Sequence, residues 1–128
     1  MKLQDLTVLV VDDFRTMRSV IKNILKQIDI TKVLEAHNGS NALEVLHENT
    51  ADLILSDWNM PRMSGIEFLR AVRDDDALRE LPFVMVTAEG MRENIVEAIQ
   101  AGANGYIIKP FTPDQLREKI ERIFEEAG

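Results

Sequence analysis

The 128-residue chain carries 15 basic and 22 acidic residues, a formal charge of -7, which disfavours non-specific binding to nucleic acid or anionic lipid. Without cysteine it can form neither a disulfide nor a thiolate metal site, and no apolar run approaches the ~18 residues of a membrane span. Met1-Lys2-Leu3-Gln4-Asp5 has no apolar signal core, so the expectation is a cytoplasmic, monomeric protein with one domain over 1–128 and no membrane insertion.

The first apolar run, Val8-Leu9-Val10-Val11, reads as a strand ending in Asp12-Asp13. Phe14, Met17, Val20, Ile21, Ile24, Leu25 and Ile28 then recur at three- and four-residue spacing, the pattern of an amphipathic helix. A second strand includes Val33-Leu34-Glu35-Ala36. Gly39 breaks that run, and Ala42, Leu43 and Leu46 mark a short second helix. The third strand, Leu53-Ile54-Leu55-Ser56, ends in Asp57. Ser64-Gly65-Ile66-Glu67 forms a capping-box sequence, in which the serine oxygen takes an orphan amide of the first turn and the glutamate reaches back, so helix three begins near Gly65.

Phe83-Val84-Met85-Val86 predicts a fourth strand ending in Thr87. Helix four carries Ile95, Ala98 and Ile99 and stops at Gly102, a residue that tolerates the left-handed conformation past a helix end. Tyr106-Ile107-Ile108 is a fifth strand ending in Lys109. Thr112-Pro113-Asp114-Gln115 opens the last helix with a capping threonine, a proline where no amide partner is lost and a glutamine at the box position. Leu116, Ile120, Ile123 and Phe124 give that helix one buried face.

Five strand-helix units with nearly continuous apolar strands predict an α/β fold: a single doubly wound, five-stranded parallel sheet flanked by five helices. The carboxyl ends of such strands share one edge, where open α/β sheets bind ligands. Asp12, Asp13 and Asp57 can share a cation only if strands one and three are neighbours. The order 2-1-3-4-5 satisfies this; it is the known order of flavodoxin-like sheets and is adopted on that precedent.

These residues carry a family resemblance. Asp12-Asp13, Asp57, Thr87 and Lys109-Pro110 at successive strand ends resemble the receiver domain of two-component response regulators. Asp12-Asp13-Phe14 with Thr16-Met17-Arg18, Asp57-Trp58-Asn59-Met60-Pro61, Met85-Val86-Thr87-Ala88-Glu89, Ala101-Gly102-Ala103, and Gly105-Tyr106 with Lys109-Pro110-Phe111-Thr112 narrow the resemblance to the CheY-type chemotaxis regulators. It spans nearly the whole chain.

The chemistry of the residues agrees. Clustered carboxylates repel one another unless a cation neutralises them, and Mg2+ is commonly held by one or two carboxylates, waters and phosphate oxygens. Asp13 and Asp57 are expected as direct ligands and Asp12 either directly or through water; the resemblance adds the backbone carbonyl of Asn59. Asp57 is the expected nucleophile and phosphorylation site, forming an acyl phosphate, with Lys109 supplying a positive charge and Thr87 a hydroxyl donor. The protein is thus read as a phosphoacceptor rather than a dedicated enzyme, with weak self-phosphorylation and autodephosphorylation.

The resemblance further implies a histidine kinase as phosphodonor and a switch in which Thr87 and Tyr106 move inward together. Driving such an equilibrium from mostly off to mostly on takes about 5 kcal/mol of differential stabilisation. It also implies a partner surface including Met91, Arg92, Ile95, Ile99, Tyr106 and Lys119, a flagellar motor switch protein and a phosphatase as partners, and a cis bond before Pro110. No effector domain is expected after helix five, so output is expected through a surface, in chemotaxis and flagellar rotation.

Some positions depart from the chemotaxis pattern. Gly90-Met91-Arg92 replaces an alanine followed by two basic residues, which bears on the partner. Ser64 stands where an acid is frequent, and Asp29 replaces a glycine after helix one, a strain if the backbone there is left-handed.

The alternatives are a stand-alone receiver feeding a phosphorelay outside motility, a receiver that signals without phosphate, and an aspartyl-phosphate phosphatase of haloacid-dehalogenase type. The phosphatase places its nucleophile after the first strand in an Asp-x-Asp pattern, whereas Asp57 follows the third and Asn59 lacks the second acid. A flavodoxin would need a phosphate-cradling loop where Asp12-Asp13 stand. His37 and His47 read as surface residues, and Trp58 as a packing residue at the site rim.

Overall fold

Five parallel strands, β1 (Thr7–Val11), β2 (Lys32–Ala36), β3 (Leu53–Ser56), β4 (Phe83–Thr87) and β5 (Gly105–Ile108), form one sheet in the order β2-β1-β3-β4-β5. The structure is a computed structural model and describes residues 2–88 and 92–127. Helices α1 (Arg15–Gln27), α2 (Gly39–Glu48), α3 (Gly65–Asp74) and α4 (Arg92–Gln100) provide the crossovers that parallel pairing requires, and α5 (Pro113–Ala127) follows the last strand.

Strand alternation divides the core in two. Val8, Val10, Leu53, Leu55, Val84, Val86 and Ile107 meet Ile21 and Leu25 of α1 and Leu116, Ile120 and Ile123 of α5. Leu9, Val11, Ile54, Phe83 and Met85 meet Ala42 and Leu46 of α2, Phe68, Leu69 and Val72 of α3, and Ala98 of α4. Each fully buried aliphatic or aromatic side chain contributes ~1.5–3 kcal/mol. Burial on both faces explains why the inner strands β1, β3 and β4 read as continuous apolar runs, whereas the edge strands β2 and β5 keep exposed positions.

The caps read from sequence are present. Ser64 Oγ accepts from the Glu67 amide at 3.3 Å, and Glu67 Oε1 accepts from the Ser64 amide at 3.1 Å. Thr112 and Gln115 make the equivalent pair at 3.1 and 2.8 Å. Gly102 follows α4 with φ +106, and Asp29 follows α1 with φ 68, so the left-handed position expected there is occupied by a non-glycine. The Lys109-Pro110 bond is cis.

Two local readings are corrected. Gly39 does not separate strand from helix: it is the first residue of α2, capped by Asn38, whose Oδ1 accepts from the Asn41 amide at 2.7 Å. A side chain at Gly39 would collide with Met63. The apolar stripe of α1 is also wider than its buried face. Ile21, Leu25 and Ile28 are buried, but Phe14 is 67% and Val20 45% exposed, because among the described residues that side of α1 lines an open groove.

Candidate functional site

Backbone pairing continues past the strand ends and sets the geometry of the edge. Val11 pairs with Ser56, and the Asp57 amide then donates to the Val11 carbonyl at 2.9 Å. The Asp12 amide donates to the Ala36 carbonyl at 3.1 Å, and the Lys109 amide to the Thr87 carbonyl at 2.9 Å. Residues far apart in sequence therefore emerge side by side.

One carboxylate oxygen from each of Asp12, Asp13 and Asp57 lies within 4.8 Å of the others. Asp12 and Asp57 are buried. Lys109 Nζ reaches both, 3.3 Å from Asp12 Oδ2 and 3.2 Å from Asp57 Oδ1, so one ammonium is shared by two of the clustered carboxylates. Burial pushes the Asp57 carboxyl above the ordinary aspartate range; Lys109 pulls it down, and the Asp12 charge raises it further. Asp13 Oδ1 is buried without a hydrogen-bond partner among the described residues. An orphaned anionic oxygen in an all-oxygen cluster is what a hard divalent cation would complete, so the residues present fit Mg2+.

The loop after β3 is held close to the site. Asp57 and Trp58 precede a bend in which the Trp58 carbonyl accepts from the Gly65 amide at 2.8 Å. A Cβ at Gly65 would fall on the Asp57 carbonyl oxygen and 2.9 Å from Met85 Sδ; glycine is required there by close approach, beyond its place at a helix start. Trp58 packs partly buried against the core at the rim, while Asn59 is exposed.

Thr87, fully buried, ends β4. It is in phase with Phe83 and Met85, toward the face covered by α3 and α4. Tyr106, half-buried, packs against that same core cluster and pairs with Met85 in the ladder. It therefore lies diagonally below Thr87 on one face. Farther along this side, Arg92 and Ile99 are exposed, and Ile95 and Lys119 are partly buried. Lys119 and Tyr106 line one opening of about 310 Å3. Met91 lies outside the described residues.

An open apolar groove of about 560 Å3 adjoins the carboxylates, lined by Phe14, Met17, Val20, Ile24, Pro110 and Phe111 and reaching Asp57 and Lys109. The exposed part of the α1 stripe forms one wall. A larger depression of about 710 Å3 lies at the opposite end, around Lys2, Asp29 and Phe124, away from every strand-end polar group.

Two arginines escaped the sequence reading as individual contributors. Arg18 Nη1 donates to the Asp12 carbonyl at 2.6 Å, and its Nε to Glu35 Oε1 at 3.0 Å. Arg73, on α3, donates to the carbonyls of Gly102, Arg79 and Leu81 and to Asn104 Oδ1, at 2.7 to 3.1 Å. The positions read as ordinary helical cations, and a bond to a backbone carbonyl leaves no residue-type signal in its partner.

The chain was compared with known proteins. Residues 8–121 match the response regulator receiver domain. The chain is 54% identical to chemotaxis protein CheY of Pseudomonas aeruginosa over 121 residues, covering 94% of this chain and 98% of that one. It is 48% identical to chemotaxis protein CheY-3 of Vibrio cholerae over 122 residues, 95% and 94% of the two chains. The solved structure of Vibrio cholerae CheY4 superposes with a TM-score of 0.84 at 35% identity, covering 92% of this chain and 98% of that one. Fold, strand-end residues and these likenesses agree, and the chain belongs to the response regulator receiver family, with CheY-type chemotaxis proteins among its relatives.

Proposed function

We propose that residues 1–128 form a single receiver domain that accepts a phosphoryl group on Asp57 from a phosphohistidine of a histidine kinase and so switches its binding to protein partners in chemotaxis. The observation that carries this reading is the Asp57 carboxylate itself: buried at a strand end, 3.2 Å from the Lys109 ammonium and clustered with Asp12 and Asp13.

Asp12, Asp13, Asp57 and the carbonyl of Asn59 would hold Mg2+. When bound, the cation supplies charge neutralisation for the phosphoryl oxygens. An Asp57 oxygen attacks phosphorus, the bond from phosphorus to the histidine nitrogen breaks, and that nitrogen keeps the electron pair. Lys109 is positioned to follow a phosphoryl oxygen as Asp57 loses its carboxylate charge, and Thr87 offers a hydroxyl from the next strand end. The groove along Phe14, Met17 and Val20 supports a protein donor, since it places apolar surface beside the nucleophile.

The phosphoryl group adds about -1.5 to -2 charge and new acceptor oxygens. Thr87 and Tyr106 share one sheet face, which supports their moving together and altering the surface of Met91, Arg92, Ile95, Ile99, Tyr106 and Lys119. A flagellar motor switch protein and a phosphatase are the partners this output surface is proposed to meet.

The test follows Trp58 emission during addition of Mg2+ and then acetyl phosphate, with Asp57→Asn as control and mass spectrometry for the adduct. The reading expects a magnesium-dependent change and a reversible phosphodonor response, the latter absent in the control. A folded protein with no adduct and no response to either addition refutes it.

A further inference from the structure

Arg18 lies in the first turn of α1 and curls back over the loop that carries the carboxylates. Its Nη1 donates to the Asp12 carbonyl at 2.6 Å, its Nε to Glu35 Oε1 at 3.0 Å, and Glu35 Oε2 accepts from Lys22 Nζ at 3.0 Å. The arginine side chain is only 15% exposed. Asp12 is thereby tied at every polar atom: its amide to Ala36, its carbonyl to Arg18, Oδ1 to the Phe14 amide at 2.9 Å and Oδ2 to Lys109.

The Asp12 carbonyl and the Asp13 amide belong to one planar peptide unit. Holding that carbonyl fixes the plane from which Asp13 departs, and Asp13 itself has a buried oxygen without a hydrogen-bond partner among the described residues. We infer that Arg18, braced by Glu35 on β2, is a positioning residue for the cation site: it orients the Asp12–Asp13 peptide so that both carboxylates converge on Asp57. The inference rests on the proposed function of this cluster as a Mg2+ site.

Geometry and charge act with opposite signs here, which makes the idea testable. A guanidinium near a cation site repels the cation, so removing Arg18 for its charge alone would tighten Mg2+ binding. Removing it as a positioning group weakens binding, because the loop must be ordered when the cation arrives.

Mg2+ affinity of the intact protein is measured by calorimetry and Trp58 emission for wild type, Arg18→Ala and Arg18→Lys, alongside thermal stability in EDTA. The expected result is about a tenfold loss of affinity for Arg18→Ala, and a loss of the same sign for Arg18→Lys, which keeps the charge but not the planar fork. Unchanged or tighter binding in a folded variant overturns the inference, as does a lowered melting temperature with wild-type affinity. If Arg18→Ala does not fold, Arg18→Lys decides by the same criterion. Wild type that binds no Mg2+ overturns the site reading as well, whereas normal wild-type binding with unchanged variants overturns the positioning role alone.

Discussion

Replacing Asp57 with asparagine should stabilise the metal-free protein while abolishing its proposed chemistry. Oxygens of Asp12, Asp13 and Asp57 lie within 4.8 Å of one another; at an effective dielectric constant of ~20, two such partners repel the Asp57 carboxylate by ~7 kcal/mol. Lys109 at 3.2 Å offsets ~5 kcal/mol of this on the same scale. The balance of these charges is ~2 kcal/mol of repulsion; burial is the largest cause of the raised titration of Asp57, with Lys109 acting against it and Asp12 with it. A carboxyl raised in the folded state contributes stability below its unfolded value of ~3.9 and loses that contribution as pH rises through the folded value. At neutral pH the loss is complete in wild type and absent in Asp57→Asn.

Urea denaturation in EDTA at neutral pH should therefore place the variant midpoint roughly 1 M higher, for a slope of ~1–3 kcal/mol/M. The gap should shrink toward zero below the unfolded value of ~3.9, where Asp57 is protonated in both states. Mg2+ at about a hundred times its dissociation constant should return ~2.7 kcal/mol to wild type and less to the variant. Equal or lower variant stability in EDTA, or a gap that does not change with pH, would refute the electrostatic reasoning.

Arg73→Ala removes the donor to the carbonyls of Gly102, Arg79 and Leu81, while Asn104 Oδ1 keeps the Phe83 amide; it should cost about 3 kcal/mol by denaturant titration, with faster amide exchange at the start of β5. Gly65→Ala should cost about 3 kcal/mol or more, since its Cβ meets the Asp57 carbonyl and Met85; Trp58 emission should shift with it. Asp29→Gly relieves a left-handed backbone at φ 68 and should gain ~0.5–1 kcal/mol, read as a raised melting temperature. Asp75 is held below the ordinary aspartate range chiefly by its hydrogen bond from His47, 2.8 Å away. Its contribution is present above the unfolded value and lost as pH falls through the folded one, so Asp75→Asn should flatten the acid limb of a stability-pH curve.

The sheet and the edge cluster were legible because both depend on where strands end. An apolar run buried on two faces has an unmistakable composition, and its polar end marks the edge: Asp12, Ser56-Asp57 and Thr87 end such runs, and Lys109 ends the apolar run of the edge strand β5. The capping boxes at Ser64 and Thr112 were legible for a similar reason, since donor and acceptor lie three residues apart. The exposure of Phe14 and Val20 was not. Periodicity reports which residues share a helix face, but the width of buried face depends on what covers it, and the groove beside Pro110 and Phe111 leaves that part of α1 open.

The same contrast separates the groups that would react from those that hold them in place. A reacting group is restricted in chemistry, so its residue type carries information even when the partner is distant. A supporting group need only offer a donor to a backbone carbonyl, which every residue provides. Arg73 reaches across 29 positions to Gly102, and Arg18 reaches the Asp12 carbonyl from within a helix whose apolar period does not single it out. Loss of such a contact should therefore act on the geometry of the carboxylates before it acts on their identity. Arg18→Lys isolates that effect, because it retains the charge while removing the fork that can hold the Asp12 carbonyl and Glu35 at once.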